Sequence, residues 1–297
     1  MARNRPAGTI GRVTETKPAA SIGLVRLLGR LDLERLDRDL FLGDPGRGRG
    51  RLFGGMVAAQ SLVAAARTVD AGSVHSLHSY FLRPGQHGVP IQFVVDRIRD
   101  GRTFTTRRVV AHQAGEAIFS LEASFTLPEE GISHQEDPPA VPQPAGLPEW
   151  DLIRPDHTEE HIRRVEAAAI SIRACDPDGV QHREGLLPMR RVWIRPRGEL
   201  PDDPVMHAAM LTYASDRGML SSIARMHGFT SERRTTASLD HAIWFHRPPR
   251  WDDWVLYLTT SPAAHNARAL MSGTMYSAEG ALIASIMQEG LIRVPAG

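Results

Sequence analysis

The feature that most restricts how this chain can fold is an internal repeat. The segment HSYFLRPG at 78–85 returns as HAIWFHRPP at 241–249: Phe81 answers Phe245 and Arg83-Pro84 answers Arg247-Pro248 at an offset of 164, while Gly115 answers Gly280 at 165. The same order of patterns surrounds each copy. In the first, the small and apolar residues after Gly54, MVAAQSLVAAARTV, read as a helix. Extended runs follow at 74–82, 89–99, 103–113 and 116–127, parted by Arg83-Pro84-Gly85, Asp100-Gly101 and Ala114-Gly115. In the second, apolar runs at 166–174 and 188–196 lead to Pro201-Asp202-Asp203-Pro204, which opens a helix read through to Met226. Runs at 236–247, 253–261, 267–278 and 281–294 complete that copy. A shared offset at these points argues for duplication. The physical reading is an α+β chain of two tandem repeats, each a long helix wrapped by a curved antiparallel β-sheet.

A length of 297 residues suits two units at about 150 residues each. The expected division is an irregular, disordered N-terminal segment 1–20, a first domain 21–127, a proline-rich linker 128–165 and a second domain 166–297. Residues 21–40 place Leu24, Leu28, Leu31 and Leu36 at near-helical intervals, an amphipathic helix expected to pack on its own core. The stretch DPGRGRGRLFGG at 44–55 must be loop; short and without interleaved aromatics, it reads as a mobile basic loop beside an anionic ligand rather than an RNA-binding tail.

Composition removes several classes of function. With 35 basic and 34 acidic side chains the net charge is +1, which gives no field to gather nucleic acid or an anionic membrane. A single cysteine, Cys175, excludes an internal disulfide and a thiolate metal cluster and points to a reducing compartment. No signal peptide, no membrane-length apolar run and no Ser-Lys-Leu ending is found, so a cytoplasmic location is expected. Nucleophile-elbow, zinc-protease, Walker and dinucleotide-binding motifs are missing.

Three polar residues stand out. On a continuous helix Asp216 would lie amid Ala209, Thr212, Tyr213, Met219, Leu220 and Ile223, a carboxylate in an apolar stripe that needs a specific partner or a task. Gln288 shares a strand face with Ile286, Gly290 and Ile292, so its amide must be satisfied inside. Ser238 alternates with Leu239, Ile243 and Phe245, and periodicity does not aim it at the core. Asp240 and His241 beside it suggest a serine triad, yet neighbouring strand residues point to opposite faces and cannot readily relay a proton. His75 and His78 diverge likewise, so a metal site there is not expected.

The segments LFGGMVAAQSL (52–62), HSLHSYFLRPG (75–85), DGRTFTTRRV (100–109), LTYASDRGML (211–220), SLDHAIWFHR (238–247) and SIMQEGLIR (285–293) resemble the acyl-CoA thioesterase II family of double-hotdog hydrolases, over about 21–294. The resemblance implies fatty acyl-CoA as substrate, no metal or organic cofactor, and a homo-oligomer. In that family an aspartate, a threonine and a glutamine hold the hydrolytic water, and these fall on Asp216, Ser238 and Gln288. Serine in place of threonine keeps the hydroxyl and loses the methyl that restricts its rotamer. Met56 stands where the family commonly carries glutamine. Gly54 and Gly55, at the start of the first helix, are expected to bind the thioester oxygen through backbone amides. Two other readings remain: a hotdog enoyl-CoA hydratase, for which His207 and His227 are poorly placed against Asp216, and a non-catalytic acyl-CoA-binding or regulatory protein.

Overall fold

The computed structural model describes residues 19–153, 157–184, 186–228 and 235–293; the N-terminal segment 1–20 therefore lies almost wholly outside the described residues. The first half runs α1 (Ile22–Leu31), β1 (Glu34–Asp37), β2 (Leu40–Gly43), α2 (Gly54–Ala66), β3 (Ser73–Phe81), β4 (Ile91–Asp100), β5 (Phe104–Gln113) and β6 (Glu116–Thr126). The second runs α3 (Glu159–Glu166), β7 (Ile170–Ala174), β8 (Gln181–Arg183), β9 (Leu186–Pro196), α4 (Pro204–Ser215), α5 (Met219–Met226), β10 (Thr235–Ser238), β11 (Asp240–Phe245), β12 (Val255–His265), β13 (Arg268–Ser277) and β14 (Leu282–Arg293).

The repeat is visible in the contacts as well as in the letters. Arg83 Nη1 donates to Ala117 O and Arg247 Nη1 to Leu282 O, and the backbone pairs Leu82 N–Ile118 O and His246 N–Ile283 O correspond in the same way. Gly115 and Gly280 each take a left-handed φ, +83° and +86°, in the turn before the last strand of their copies. Among the described residues all strand pairings are antiparallel, and β3 hydrogen-bonds to β11, with Leu77 opposite Ile243, so the two curved sheets become one 14-stranded sheet. Helices α2 and α4 pack side by side within it. Every residue of α2 from Gly55 to Ala65 is buried, which is why its sequence is small and apolar on all sides rather than amphipathic.

Three expectations are corrected. The helix read over 21–40 stops at Leu31, and residues 34–43 form a hairpin instead. The helix read from Pro204 to Met226 is two helices: α4 ends at Ser215, Asp216 is its C-cap, and Gly218 turns the chain at φ +84° before α5. The stretch 128–165 is not featureless; Trp150 is buried in a 3₁₀ turn (Trp150–Leu152), α3 begins at Glu159, and Trp193 Nε1 donates to Pro142 O. Helix α1 is tied to the other half, with Ser21 N–H donating to Arg197 O and Gly23 N–H to Ala167 O.

Candidate active site

The end of α4 meets the beginning of α2, and there the polar residues collect. Asp216, only 9% exposed, is delivered by the helix break. Its Oδ2 accepts the Gly55 N–H at 2.8 Å and its Oδ1 accepts Gln288 Nε2 at 3.0 Å. The amide at the positive end of α2 compensates a carboxylate that burial would otherwise penalise. The same Gln288 Nε2 donates to Ser238 Oγ at 2.9 Å. Asp216, Ser238 and Gln288, distant in the sequence, are thus one hydrogen-bonded cluster.

Ser238 arrives there against its periodicity. Along β10 and β14, Ser238 lies opposite Gly290, whereas along β11 and β14, Ala242 lies opposite Met287. Four steps on one strand therefore match three on the other, a bulge that reverses the alternation and turns Ser238 inward. Asp240 Oδ1 accepts the Glu289 N–H at 2.6 Å beside it, so this carboxylate supports the bulge.

His241, set aside above as a triad partner of Ser238, is bonded to Gln288 in this cluster. It is 1% exposed; its Nδ1 lies 2.6 Å from Gln288 Oε1 and its Nε2 2.7 Å from Ser215 Oγ. A carboxylate only accepts, so Gln288 must turn its NH₂ toward Asp216 and its carbonyl toward His241, whose Nδ1 must then carry a hydrogen. Burial holds the imidazole below its ordinary pKa of 6.5, outweighing the nearby Asp216 and Asp240. The neutral ring leaves Nε2 bare, and the Ser215 hydroxyl, also 2.8 Å from Thr212 O, turns to it. The available signal was strand period: His241 shares the buried face of Ile243 and Phe245.

A cavity of about 590 Å³ opens over the cluster, lined by both halves: Gly54, Val57 and Phe81 from the first, Asp216, Leu220 and Ser238 from the second. The glycines let the helix end approach. A Cβ on Gly54 would come 2.5 Å from Phe81 Cε1 and 3.0 Å from Asp216 Oδ2, and one on Gly55 would come 2.7 Å from Tyr213 O. Gly55 is thus engaged by Asp216, while Gly54 sits at the first helical position, where N–H groups lack intrahelical partners. Met56 is buried in the core and does not line the cavity. Cys175 lies in a separate cluster with Trp193 and Trp254, and burial pushes its thiol up to about 12. His207 Nδ1 accepts the Trp251 N–H near the far end of α4 from Asp216.

Residues 172–291 match the family model for acyl-CoA thioesterase and residues 44–126 the model for the acyl-CoA thioesterase N-terminal domain. Acyl-coenzyme A thioesterase 8 of Mus musculus is 36% identical over 285 residues, covering 89% of this chain and 88% of that one. The chain belongs to the acyl-CoA thioesterase II family. Acyl-CoA thioesterase II TesB2 from Mycobacterium marinum shares 44% identity and superposes with a TM-score of 0.79 over 91% of this chain and 99% of that one. A hot-dog-fold protein from Alicyclobacillus acidocaldarius, 19% identical, has a TM-score of 0.75 over 91% and 99% of the two chains, and the fold is a double hotdog.

In this thioesterase-family chain the two halves carry different residues at matching places. Where the second half pairs the strands through His241 and Gln288, the first sets Leu77 opposite Ala123, both buried. At the opposite ends of α2 and α4 a smaller cavity of about 110 Å³ is lined by Leu62, Val69, Val74, Phe125 and Val205. One end of the duplicated architecture carries the Asp216 cluster under a roomy cavity, and the other holds the smaller one.

Proposed function

We propose that this chain hydrolyses fatty acyl-CoA to fatty acid and CoA by direct attack of a water held by Asp216, Ser238 and Gln288. The observation that carries the reading is the buried carboxylate of Asp216, bonded on one side to a helix-end amide and on the other to Gln288, at the floor of an apolar cavity. Both hydrogens of the Gln288 amide are committed, one to Asp216 and one to Ser238, so the Ser238 hydroxyl hydrogen is available to the cavity. A water there donates to Asp216 and accepts from Ser238. As its oxygen attacks the thioester carbon, Asp216 takes its proton. The Gly54 N–H, at the first position of α2, stabilises the resulting oxyanion. Collapse breaks the C–S bond, and the proton on Asp216 passes to the departing thiolate. Water and protein groups balance the reaction.

Apolar lining from Phe53, Val57, Phe81, Ile118, Phe119 and Leu220 suits a fatty acyl chain. We further propose a cytoplasmic homo-oligomer that binds no nucleic acid. No helix of the described residues is long and apolar enough to cross a membrane.

Asp216→Asn tests the mechanism, because it keeps the shape and removes the base. A loss of about 10² to 10⁴ in kcat, with acyl-CoA still bound and the melting transition retained, is expected. A folded variant that hydrolyses acyl-CoA at the parental rate overturns the mechanism. A parent protein that binds acyl-CoA and releases no thiol would instead be a binding or regulatory protein.

A further inference from the structure

The glycine and arginine loop between β2 and α2 is the charged feature the hydrolytic site does not use. Arg47, Arg49 and Arg51 alternate with glycines in GRGRGR and are all exposed. The nearest carboxylate in the chain, Asp44, accepts the Gly46 N–H at 2.7 Å and lies 4.0 Å from Arg30. Among the described residues no carboxylate pairs with Arg47, Arg49 or Arg51.

The loop backbone is nevertheless pinned. Gly88 N–H donates to Gly46 O at 3.1 Å, Leu52 N–H donates to Gly85 O at 3.0 Å, and Arg51 forms a β-bridge with Gln86. Gln86 is bracketed by Gln113, 6% exposed, which accepts its N–H at 2.8 Å and donates to its carbonyl at 2.9 Å. Three exposed arginines are therefore carried on a ribbon anchored at its two ends, Gly46 and Arg51-Leu52. That ribbon leads into Leu52, Phe53 and Gly54 of the cavity wall, and the exposed part of the wall carries Arg51 and Arg83, the latter 3.2 Å from Glu116. Among the described residues of the lining the one acid is the buried Asp216. At the mouth Arg83 is paired with Glu116 while Arg51 has no such carboxylate beside it among the described residues, and Asp216 lies at the floor.

We propose that Arg47, Arg49 and Arg51 form the docking site for the phosphorylated nucleotide end of the substrate, a CoA-type 3′-phosphoadenosine diphosphate. This rests on the hydrolase reading above. A thioester seated at Asp216 leaves the nucleotide at the other end of a flexible arm, and its phosphates cannot enter an apolar cavity without paired charge. Arginine is suited to them, since its planar fork binds phosphate oxygens bidentately. A net charge of +1 leaves the recognition of an anionic substrate to a local cluster of this kind.

The test uses the full chain with Arg47→Gln and Arg49→Gln together, leaving Arg51 in the cavity wall untouched. Palmitoyl-CoA is compared with palmitoyl-N-acetylcysteamine, which carries the same thioester without nucleotide or phosphate. The expected result is a KM for palmitoyl-CoA raised about 10-fold, the equivalent of about 1.4 kcal/mol, with kcat retained. The kcat/KM for the short thioester should be the same in parent and variant, and the palmitoyl-CoA difference should shrink in high salt. An unchanged KM for palmitoyl-CoA, or an equal loss on both substrates, overturns the proposal. So does a loss seen only with a thioester carried on an acidic acyl carrier protein, which would make the loop a protein-docking surface. If the parent cleaves neither thioester, the hydrolase reading fails separately. Calorimetry with adenosine 3′,5′-bisphosphate then decides for the loop: binding by the parent that is lost in the variant supports the site, and no binding by the parent overturns it.

Discussion

Asp216 can only accept hydrogen bonds, and that constraint passes through Gln288 and His241 to Ser215. His241 does not itself line the cavity, so it acts through Gln288 as a positioning residue. The first half supplies its natural control, because Leu77 occupies the matching place opposite Ala123. His241→Leu frees the Gln288 carbonyl from its partner, and one lost hydrogen bond of about 1.5 kcal/mol corresponds to roughly a 10-fold fall in kcat. His241→Asn returns an N–H near the position of Nδ1 and should recover most of the rate. KM for acyl-CoA should be alike in both variants. Steady-state kinetics beside thermal melts separate this from packing: a leucine variant with parental kcat would reduce His241 to a core residue.

At the scale of elements, the site depends on two departures from regular structure and one close approach. The break after Ser215 frees Asp216 from the helix, and the bulge between β10 and β11 turns Ser238 toward it. The approach is that of α2, whose first residues have no side chains to hold Asp216 away. A methyl at Gly54 would crowd the Phe81 ring and Asp216 Oδ2 together. Gly54→Ala should therefore lower kcat by about 10-fold or more, as expected for disturbing a donor in an oxyanion site, while the overpacking costs about 1–3 kcal/mol of stability. A variant with parental kcat would remove Gly54 from the reaction. Gly55→Val is a harsher change, since its side chain would press on the Tyr213 carbonyl of α4, and stability should fall together with turnover.

In the whole molecule the halves are not independent. β3 pairs with β11, α2 packs on α4, and α1 is bonded to residues 167 and 197 of the second half. Residues 21–127 expressed alone would expose the β3 edge and one side of α2, and such surfaces associate. Size-exclusion chromatography should find that fragment aggregated or insoluble; a soluble monomer with a cooperative melt would count against interdependence. The candidate site is divided in the same way, with Gly54 and Gly55 from one half and Asp216, Ser238 and Gln288 from the other.

Much of this was legible in the sequence. Helix and strand periods are local properties, so the repeated order of elements, the inward face of Gln288 and the turns at Gly115 and Gly280 could be read from neighbouring residues alone. The resemblance then picked out Asp216, Ser238 and Gln288 together. Tertiary structure decided the rest: the helix break at Asp216, the inward turn of Ser238, the use of the Gly55 amide by a carboxylate 161 residues away and the place of His241 beside Gln288, 47 residues on. Each depends on which strand or helix end lies opposite. A local period records which way a side chain faces, and it carries no information about the partner it will meet there.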